Sequence, residues 1–207
     1  MINLVRYYLI RIFSRLFNPP AIKDCTMDRT AKILPGCQIV NSTIDKYTYI
    51  GDYSCLINCE IGRFTSIAQN CIVGGAMHPT SWVSTSPVFH NGKNILRKNF
   101  SDNYFEIYHE TVIGNDVWIG SNSLIKSGVK IGNGVIVGMG SIVTHDIPDY
   151  EIWAGNPAKL IRKRFKDEDI EKLLKVKWWE WSDDIILNSA KDFNDINAFL
   201  SDNKGIF

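Results

Sequence analysis

Residues 113–148 read IGNDVW, IGSNSL, IKSGVK, IGNGVI, VGMGSI and VTHDIP when they are written in groups of six. The first position of each group is a β-branched aliphatic residue: Ile113, Ile119, Ile125, Ile131, Val137 and Val143. Neither an α-helix nor an ordinary strand keeps one residue type in register at a period of six. A chain that makes a short strand and then a turn every six residues does. Three such units close a triangular coil of about 18 residues, so the stretch predicts a solenoid of stacked parallel strands.

The same phasing continues upstream, at Ile33, Ile39, Ile44, Ile50, Leu56, Ile61, Ile67 and Val73. Two steps, from 39 to 44 and from 56 to 61, are five residues long, and we interpret them as tightened turns at the corners of the prism. The two blocks together predict an all-β solenoid over residues 30–155 with about four to five coils.

Three segments of the chain lack the period. Residues 74–111 interrupt the repeat, and an inserted loop of this length in a compact domain is usually functional. Residues 156–207 have helical spacing and predict a C-terminal helical segment that covers the last coil. Residues 1–20 predict an amphipathic N-terminal helix.

The composition narrows the class of protein. The chain has 207 residues, a net charge of +1, 45% hydrophobic and 22% charged residues, which favours one globular domain and gives no electrostatic case for nucleic acid. No uncharged apolar run reaches 18 residues, and arginines interrupt the one signal-like stretch, so we expect a cytoplasmic protein. Five cysteines without a CxxC pair argue against a disulfide framework and against a zinc site.

Three motifs accompany the repeat: GGAMHPTSWVSTSPVF at 74–89, NDVWIG at 115–120 and AGNPAK at 154–159. With them, residues 30–200 resemble the xenobiotic acetyltransferase branch of the hexapeptide-repeat acyltransferases, which includes chloramphenicol and streptogramin acetyltransferases and many sugar O-acetyltransferases. The stretch 78–89 is more similar to the sugar-modifying members. The resemblance implies a left-handed parallel β-helix, whereas the general preference for right-handed crossovers predicts the opposite hand.

The resemblance also implies roles for individual residues. His78 matches the general base that deprotonates the acceptor hydroxyl, and histidine suits this task because it titrates near neutral pH. The positions that match contacts to acetyl-CoA are Trp118, Ser121, Met139, Thr144, His145, Lys159 and Arg162. His145 departs from the lysine usual at its position. The residues alone leave an alternative for each of these sites. His78 is then a hydrogen-bonded loop histidine, Trp118 a packing residue at a corner, and residues 160–165 a solvated basic segment.

The histidines outside this set predict no function. We interpret His90 and His109 as surface residues of the inserted loop.

The resemblance predicts an O-acetyltransferase that moves acetyl from acetyl-CoA to a sugar hydroxyl in surface polysaccharide synthesis, by direct transfer in a ternary complex. It also implies a homotrimer whose active sites lie between subunits, acting on a small-molecule or glycan acceptor. One alternative acceptor is an antibiotic such as a streptogramin or chloramphenicol. A γ-class carbonic anhydrase, with zinc held by three histidines, and a non-enzymatic scaffold are the other classes; the four histidines do not form the pair within the repeat that such a zinc site needs.

Residues 1–18 lie outside the resemblance. On a helical wheel one half holds Ile2, Val5, Tyr8, Leu9, Ile12, Phe13 and Leu16, and the other half holds Asn3, Arg6, Arg11, Ser14, Arg15 and Asn18. The segment carries three arginines and no acidic residue. This pattern is typical of a helix at a membrane interface, and equally of a helix whose apolar face covers the first coil or a partner chain.

Overall fold

The computed structural model describes residues 2–202, apart from the side chains of residues 2–4, 11, 14, 15 and 202. Short strands form three sheets, one on each face of a prism. Sheet A contains β1 (Ala21–Lys23), β4 (Gln38–Val40), β7 (Cys55–Ile57), β10 (Ile72–Gly74), β13 (Leu124–Ile125) and β16 (Ile142–Val143). Sheet B contains β2 (Thr26–Met27), β5 (Thr43–Ile44), β8 (Cys59–Ile61), β11 (Thr111–Ile113) and β14 (Lys130–Ile131). Sheet C contains β3 (Lys32–Ile33), β6 (Tyr49–Ile50), β9 (Ser66–Ile67), β12 (Trp118–Ile119), β15 (Ile136–Val137), β17 (Glu151–Gly155) and β18 (Ala158–Lys163).

Consecutive strands lie on consecutive faces, and each of β1–β17 pairs in parallel with strands of neighbouring coils. This pairing confirms the predicted solenoid. Sheet A has six strands in the described chain, more than the four to five coils expected, because pairing already begins at Ala21. Ile22 and Met27 continue the phase but are exposed at the open end of the prism, where the chain does not need a β-branched residue.

The interior of the prism is a column of the aliphatic residues that define the period. Ile50, Ile67, Ile119 and Val137 follow one another in register along sheet C, and all four are fully buried. The close stacking of coils leaves a strand spacing of about 4.8 Å, so each side chain packs on its equivalents above and below.

One corner of the prism, between sheets B and C, carries a column of left-handed residues. Tyr47, Phe64, Asp116, Gly134 and Tyr150 occupy the same turn position in five coils, with φ between 55° and 67°. A left-handed conformation costs a non-glycine residue about 1–2 kcal/mol, so these side chains must gain contacts that offset it. Glycine at 134 leaves the space that the Tyr150 ring fills, since an added Cβ would lie 2.5 Å from that ring.

The C-terminal segment supplies those contacts. It contains α2 (Asp167–Val176), α3 (Asp183–Ser189), α4 (Ile196–Asp202) and the 3-10 turns Trp178–Glu180 and Ala190–Asp192. Tyr47 donates a hydrogen bond to Asp183 (2.6 Å), and the ring of Phe64 lies 4.9 Å from that of Trp178. Arg164 pairs with Asp116 at 2.9 Å and donates to the carbonyl of Gly134.

The helices therefore contact turns of several coils along the side of the prism, Tyr150 of the last coil among them, rather than the last coil alone. The aromatic turn residues decide the placement, because they offer an apolar strip along the corner. We call this arrangement the lateral clasp. The segment after 156 also differs from the helical expectation at its start: β18 folds back antiparallel on β17, and the first helix begins at Asp167. Residues 203–207 of the predicted segment lie outside the described residues.

The N-terminal helix α1 (Ile2–Phe17) precedes the first coil. No helix among residues 2–202 is long and apolar enough to cross a membrane. Of the three arginines predicted on its polar side, Arg6 is exposed, and the side chains of Arg11 and Arg15 lie outside the described part.

Candidate active site

His78 lies where the inserted loop leaves the corner between sheets A and B. The Met77 amide donates to the Ile107 carbonyl at 2.7 Å, and Ala76 bridges to Tyr108, so the two ends of the loop are tied together beside the histidine. The imidazole is exposed, and its Nδ1 lies 2.8 Å from the carbonyl oxygen of Thr85. A carbonyl only accepts, so Nδ1 donates to Thr85, and in the neutral form of the ring the lone pair that can accept a proton is on Nε2.

The contact of Thr85 with His78 is one that the sequence does not reveal. Thr85 acts through its backbone carbonyl, which every residue type has, so no side-chain pattern marks it. The motif 74–89, which contains Thr85, is the sequence signal that points to this part of the loop.

His90 is 2% exposed, and the expectation of a surface residue is wrong. Its Nδ1 lies 3.0 Å from the carbonyl of Asn91, its own carbonyl accepts from Asn99, and its ring packs 5.9 Å from Phe105. The loop thus has a small packed centre of its own, which fixes its shape. His109 is half-buried, with its Nδ1 3.8 Å from Glu106.

Trp118, Ser121 and Met139 lie together at the corner between sheets C and A. Trp118 is on the outer face of sheet C and 51% exposed, and Met139 is 79% exposed. The turns of Ser121 and Met139 stack on adjacent coils, since the Gly140 amide donates to the Ser121 carbonyl at 2.8 Å. Within the described chain, no acceptor binds the backbone N–H of Ser121 or of Met139. This corner therefore offers two free amide donors beside an exposed indole.

The hairpin of β17 and β18 extends the same corner. The Gly155 amide donates to the Ser141 hydroxyl at 3.2 Å, and Gly138 donates to the carbonyl of Trp153. Lys159 pairs with Ala154 across the hairpin and is exposed, as is Arg162. Two exposed cations thus follow the free amides along the prism, an arrangement that suits an extended ligand with phosphates at one end.

Thr144 and His145 lie at a different corner. They follow β16 and stack in register with the end of β10, the corner from which the inserted loop leaves. The Thr144 hydroxyl lies 2.9 Å from Nδ1 of His145. We call His78, Thr144 and His145 the loop-corner group, and Trp118, Ser121, Met139, Lys159 and Arg162 the amide-corner group. No hydrogen bond or ring contact joins the two groups within residues 2–202.

The inserted loop also borders an open cavity of about 700 Å³, called the loop cavity below. Its lining combines the rings of Trp82, Phe89 and Tyr104 with the polar side chains of Ser81, Ser84 and Asn103. None of its lining residues is charged. Ser84 precedes Thr85, so the cavity adjoins the residue that holds His78.

The surroundings of the cysteines indicate a structural role. All five are free thiols, and Cys37, Cys59 and Cys71 are buried in the prism. Burial raises the pKa of Cys59 to about 12, which keeps it an unreactive thiol. Among the residues described, no group of three or more histidine, cysteine or acidic side chains is placed to hold a metal ion.

A family model described as bacterial transferase hexapeptide (six repeats) matches residues 110–145. A probable macrolide acetyltransferase of Lysinibacillus sphaericus is 42% identical over 149 residues, which cover 70% of this chain and 79% of that protein. The chain belongs to the hexapeptide-repeat acyltransferase family. Its fold is the left-handed parallel β-helix that the resemblance predicted.

Other similarities within this family differ in acceptor. The chain spans 59% of the length of a chloramphenicol acetyltransferase of Agrobacterium fabrum that it also matches. A mutant of the N-acyltransferase AntD from Bacillus cereus, in complex with dTDP-4-amino-4,6-dideoxyglucose and coenzyme A, is 25% identical with a TM-score of 0.58, over 75% of this chain and 84% of that one. The polySia-specific acetyltransferase NeuO is 25% identical with a TM-score of 0.52, over 72% and 70% of the two chains.

Proposed function

We propose that this acyltransferase moves the acetyl group of acetyl-CoA to a hydroxyl of a sugar, in the synthesis of a surface polysaccharide. The observation that carries the proposal is the hydrogen bond from His78 Nδ1 to the Thr85 carbonyl, because Thr85 directly follows Ser84 of the loop cavity in the chain. A base held in this way can take a proton from an acceptor bound in the cavity.

The reaction needs no covalent enzyme intermediate. His78 Nε2 takes the hydroxyl proton as the acceptor oxygen attacks the thioester carbon. The Ser121 N–H donates to the oxyanion that develops, and the Met139 N–H donates to the pantetheine arm. The C–S bond then breaks, and the proton on Nε2 passes to the leaving sulfur. A donor aimed at a developing oxyanion is worth about 10²–10³ in rate in other enzymes.

Coenzyme A binding follows the amide-corner group. The exposed Trp118 ring forms a wall for the thiol end, and Lys159 and Arg162 neutralise phosphates at the nucleotide end. Thr144 and His145 reach that end from the loop corner of the neighbouring chain. Arginine binds phosphate through two parallel hydrogen bonds and lysine as a point charge, so the two residues suit the same group in different ways.

A homotrimer brings the two groups together. Because they occupy different corners of one prism, a complete site forms where the loop corner of one chain meets the amide corner of the next. Three prisms arranged around a threefold axis make three such sites and leave no unpaired interface.

The loop cavity supports a sugar acceptor. Aromatic rings pack on the C–H faces of a pyranose, and serine and asparagine side chains bond its hydroxyls. The uncharged lining favours a neutral sugar unit over an anionic one, because a carboxylate or phosphate there would lose hydration without a cation to replace it. The similarity to AntD and NeuO, whose names include a sugar nucleotide and a polysaccharide, supports the same class.

A second candidate acceptor is an antibiotic hydroxyl. The similarity to a probable macrolide acetyltransferase and to chloramphenicol acetyltransferases favours it. A large apolar drug would use the same aromatic rings and the same base, so the chemistry is unchanged and only the acceptor differs. A cytoplasmic location suits either acceptor, since five free thiols and an acetyl-CoA donor fit a reducing compartment.

The first test concerns the base. His78→Ala should lower kcat by about 10²–10⁴, because a proton transfer in the transition state is lost. His109→Ala is the matched control, since it removes a half-buried histidine of the same loop that faces Glu106 rather than the cavity. The rate of free coenzyme A release is measured with galactosides, nucleotide sugars, a macrolide and chloramphenicol. More than a tenth of the rate remaining in His78→Ala would exclude His78 as the base.

The same panel of sugars and antibiotics identifies the class of acceptor. Trp82→Ala and Tyr104→Ala should raise the KM for the true acceptor and leave the KM for acetyl-CoA unchanged, because both rings line the loop cavity only. A preference of kcat/KM for the macrolide or chloramphenicol over every sugar would replace the sugar by the antibiotic.

A further inference from the structure

The N-terminal helix α1 exposes nearly all of its described apolar surface. The apolar side chains that the structure describes are between 49% and 78% exposed: Val5, Tyr7, Tyr8, Leu9, Ile10, Ile12, Phe13, Leu16 and Phe17. Six of them share one half of the helix, Val5, Tyr8, Leu9, Ile12, Phe13 and Leu16, and an exposed apolar patch of this kind marks an interaction surface in a natural protein. Something outside this chain therefore covers α1.

The helix does not cover the first coil. Ile22, at the open end of the prism, is 41% exposed, and Ile33 is only half-buried. The tie between helix and prism lies at the junction, where the Gly36 amide donates to the Asn18 carbonyl at 2.9 Å. Pro19 and Pro20 follow and end the helix. The junction is held, and Val5, Leu9 and Phe13 of α1 are exposed to another surface.

The charge of the segment selects its partner. Residues 1–18 contain Arg6, Arg11 and Arg15 and no acidic residue. A second copy of the helix would bring like charges together without a countercharge. An anionic lipid surface supplies that countercharge and accepts the apolar side chains at the same time.

The length of α1 fits a helix that lies in the surface. Sixteen residues extend about 24 Å, less than the roughly 30 Å of a hydrocarbon core. The tyrosine at 8 has a ring for the acyl region and a hydroxyl for the headgroups. We propose that α1 lies in the headgroup region of an anionic bilayer and holds the enzyme at that surface.

The proposal does not depend on the acceptor. If the chains form the trimer proposed above, the three helices follow from equivalent ends of three prisms, and their binding to one membrane is multivalent. The purpose would be to present the active sites to an acceptor carried on lipid.

Flotation of the full-length protein with vesicles tests the proposal. We expect the protein to float with phosphatidylcholine–phosphatidylglycerol vesicles at low salt, to float less as salt rises and to stay behind with phosphatidylcholine alone. Changing the three arginines of α1 together to Gln should lower the partition coefficient roughly a hundredfold, from about fivefold for each charge. Leu9→Asp with Phe13→Asp should abolish flotation.

The matched control is Leu187→Asp, which makes the same change at a leucine of α3 that is 75% exposed. It should float as the unchanged protein does, and every variant should keep its kcat on a water-soluble acceptor. Failure of the unchanged protein to float with anionic vesicles overturns the proposal. So does a change of oligomeric mass or a lower Tm in Leu9→Asp with Phe13→Asp, since either result assigns α1 to an interface between copies or to the fold.

Discussion

Two variants that are each impaired should restore activity when their chains mix. His78→Ala removes the base from the loop-corner group, and Lys159→Ala with Arg162→Ala weakens the amide-corner group of the same chain. The structure places the two groups at different corners of the prism, so a site shared between chains draws one group from each. In an equimolar mixture that assembles at random, half of the loop corners and half of the amide corners are intact. About a quarter of all sites therefore combine both intact groups.

The assay is kcat/KM for acetyl-CoA, measured after the two variants are co-expressed with different tags and purified through both. Each parent is measured separately, and the two parents are also combined after purification, without subunit exchange, as the control. Co-expression should give about a third of the wild-type value per chain, because every trimer that carries both tags has one fully intact site of three. The control should give the mean of the parents. Co-expressed protein that also gives only that mean would show that each site lies within one chain.

Further predictions concern the coenzyme, the stacked turns, the thiols and the lateral clasp. Lys159→Ala with Arg162→Ala should raise the KM for acetyl-CoA with little effect on kcat. This double variant should also discriminate less than wild type against a coenzyme that lacks its 3′-phosphate. Equal discrimination by the two proteins would place the phosphate contact elsewhere. Gly120→Ala should raise the same KM, because its added Cβ would lie 2.5 Å from the Met139 amide nitrogen, whereas Gly140→Ala, with open space at its Cβ, tests the effect of backbone strain alone. Burial raises the pKa of Cys59 to about 12, so at pH 8 only about one part in ten thousand of this thiol is thiolate. A disulfide reagent should therefore modify Cys59 only after unfolding. Rapid reaction in the folded protein would contradict its burial. Trp179→Ala should lower the free energy of unfolding by about 3–5 kcal/mol in chemical denaturation, since the ring is buried in the clasp, and a loss below about 1 kcal/mol would mean that the clasp does not hold the helices.

The prism itself was predictable from the sequence, because a narrow interior without solvent demands the same kind of residue at every pass. Ile119 and Val137 recur for that reason, and their register in sheet C follows from the period. Ile22 and Met27 were missed because the end of the prism relaxes that demand.

The contacts between distant segments were less predictable. The burial of His90 depends on Asn99 and Phe105, which an aperiodic loop brings together without any local signal. The sequence does carry a signal for the lateral clasp. Tyr47, Phe64 and Tyr150 are large rings at left-handed turn positions, where glycine or asparagine has a lower conformational energy. The roles of the amide-corner residues remain predictions, since backbone N–H groups leave no side-chain trace.

The lateral clasp also limits how this architecture can change in length. A bare solenoid can gain or lose a coil by duplication or deletion of about 18 residues, because each coil touches only its neighbours. Here the C-terminal segment touches the coils of Tyr47, Phe64, Asp116 and Tyr150 at fixed points along one edge. An extra coil between them would displace those points by one strand spacing, about 4.8 Å, and break their correspondence with the helices. The clasp thus fixes the number of coils between its contact points. New sequence is inserted into this fold more readily at the inserted loop than by duplication of a coil.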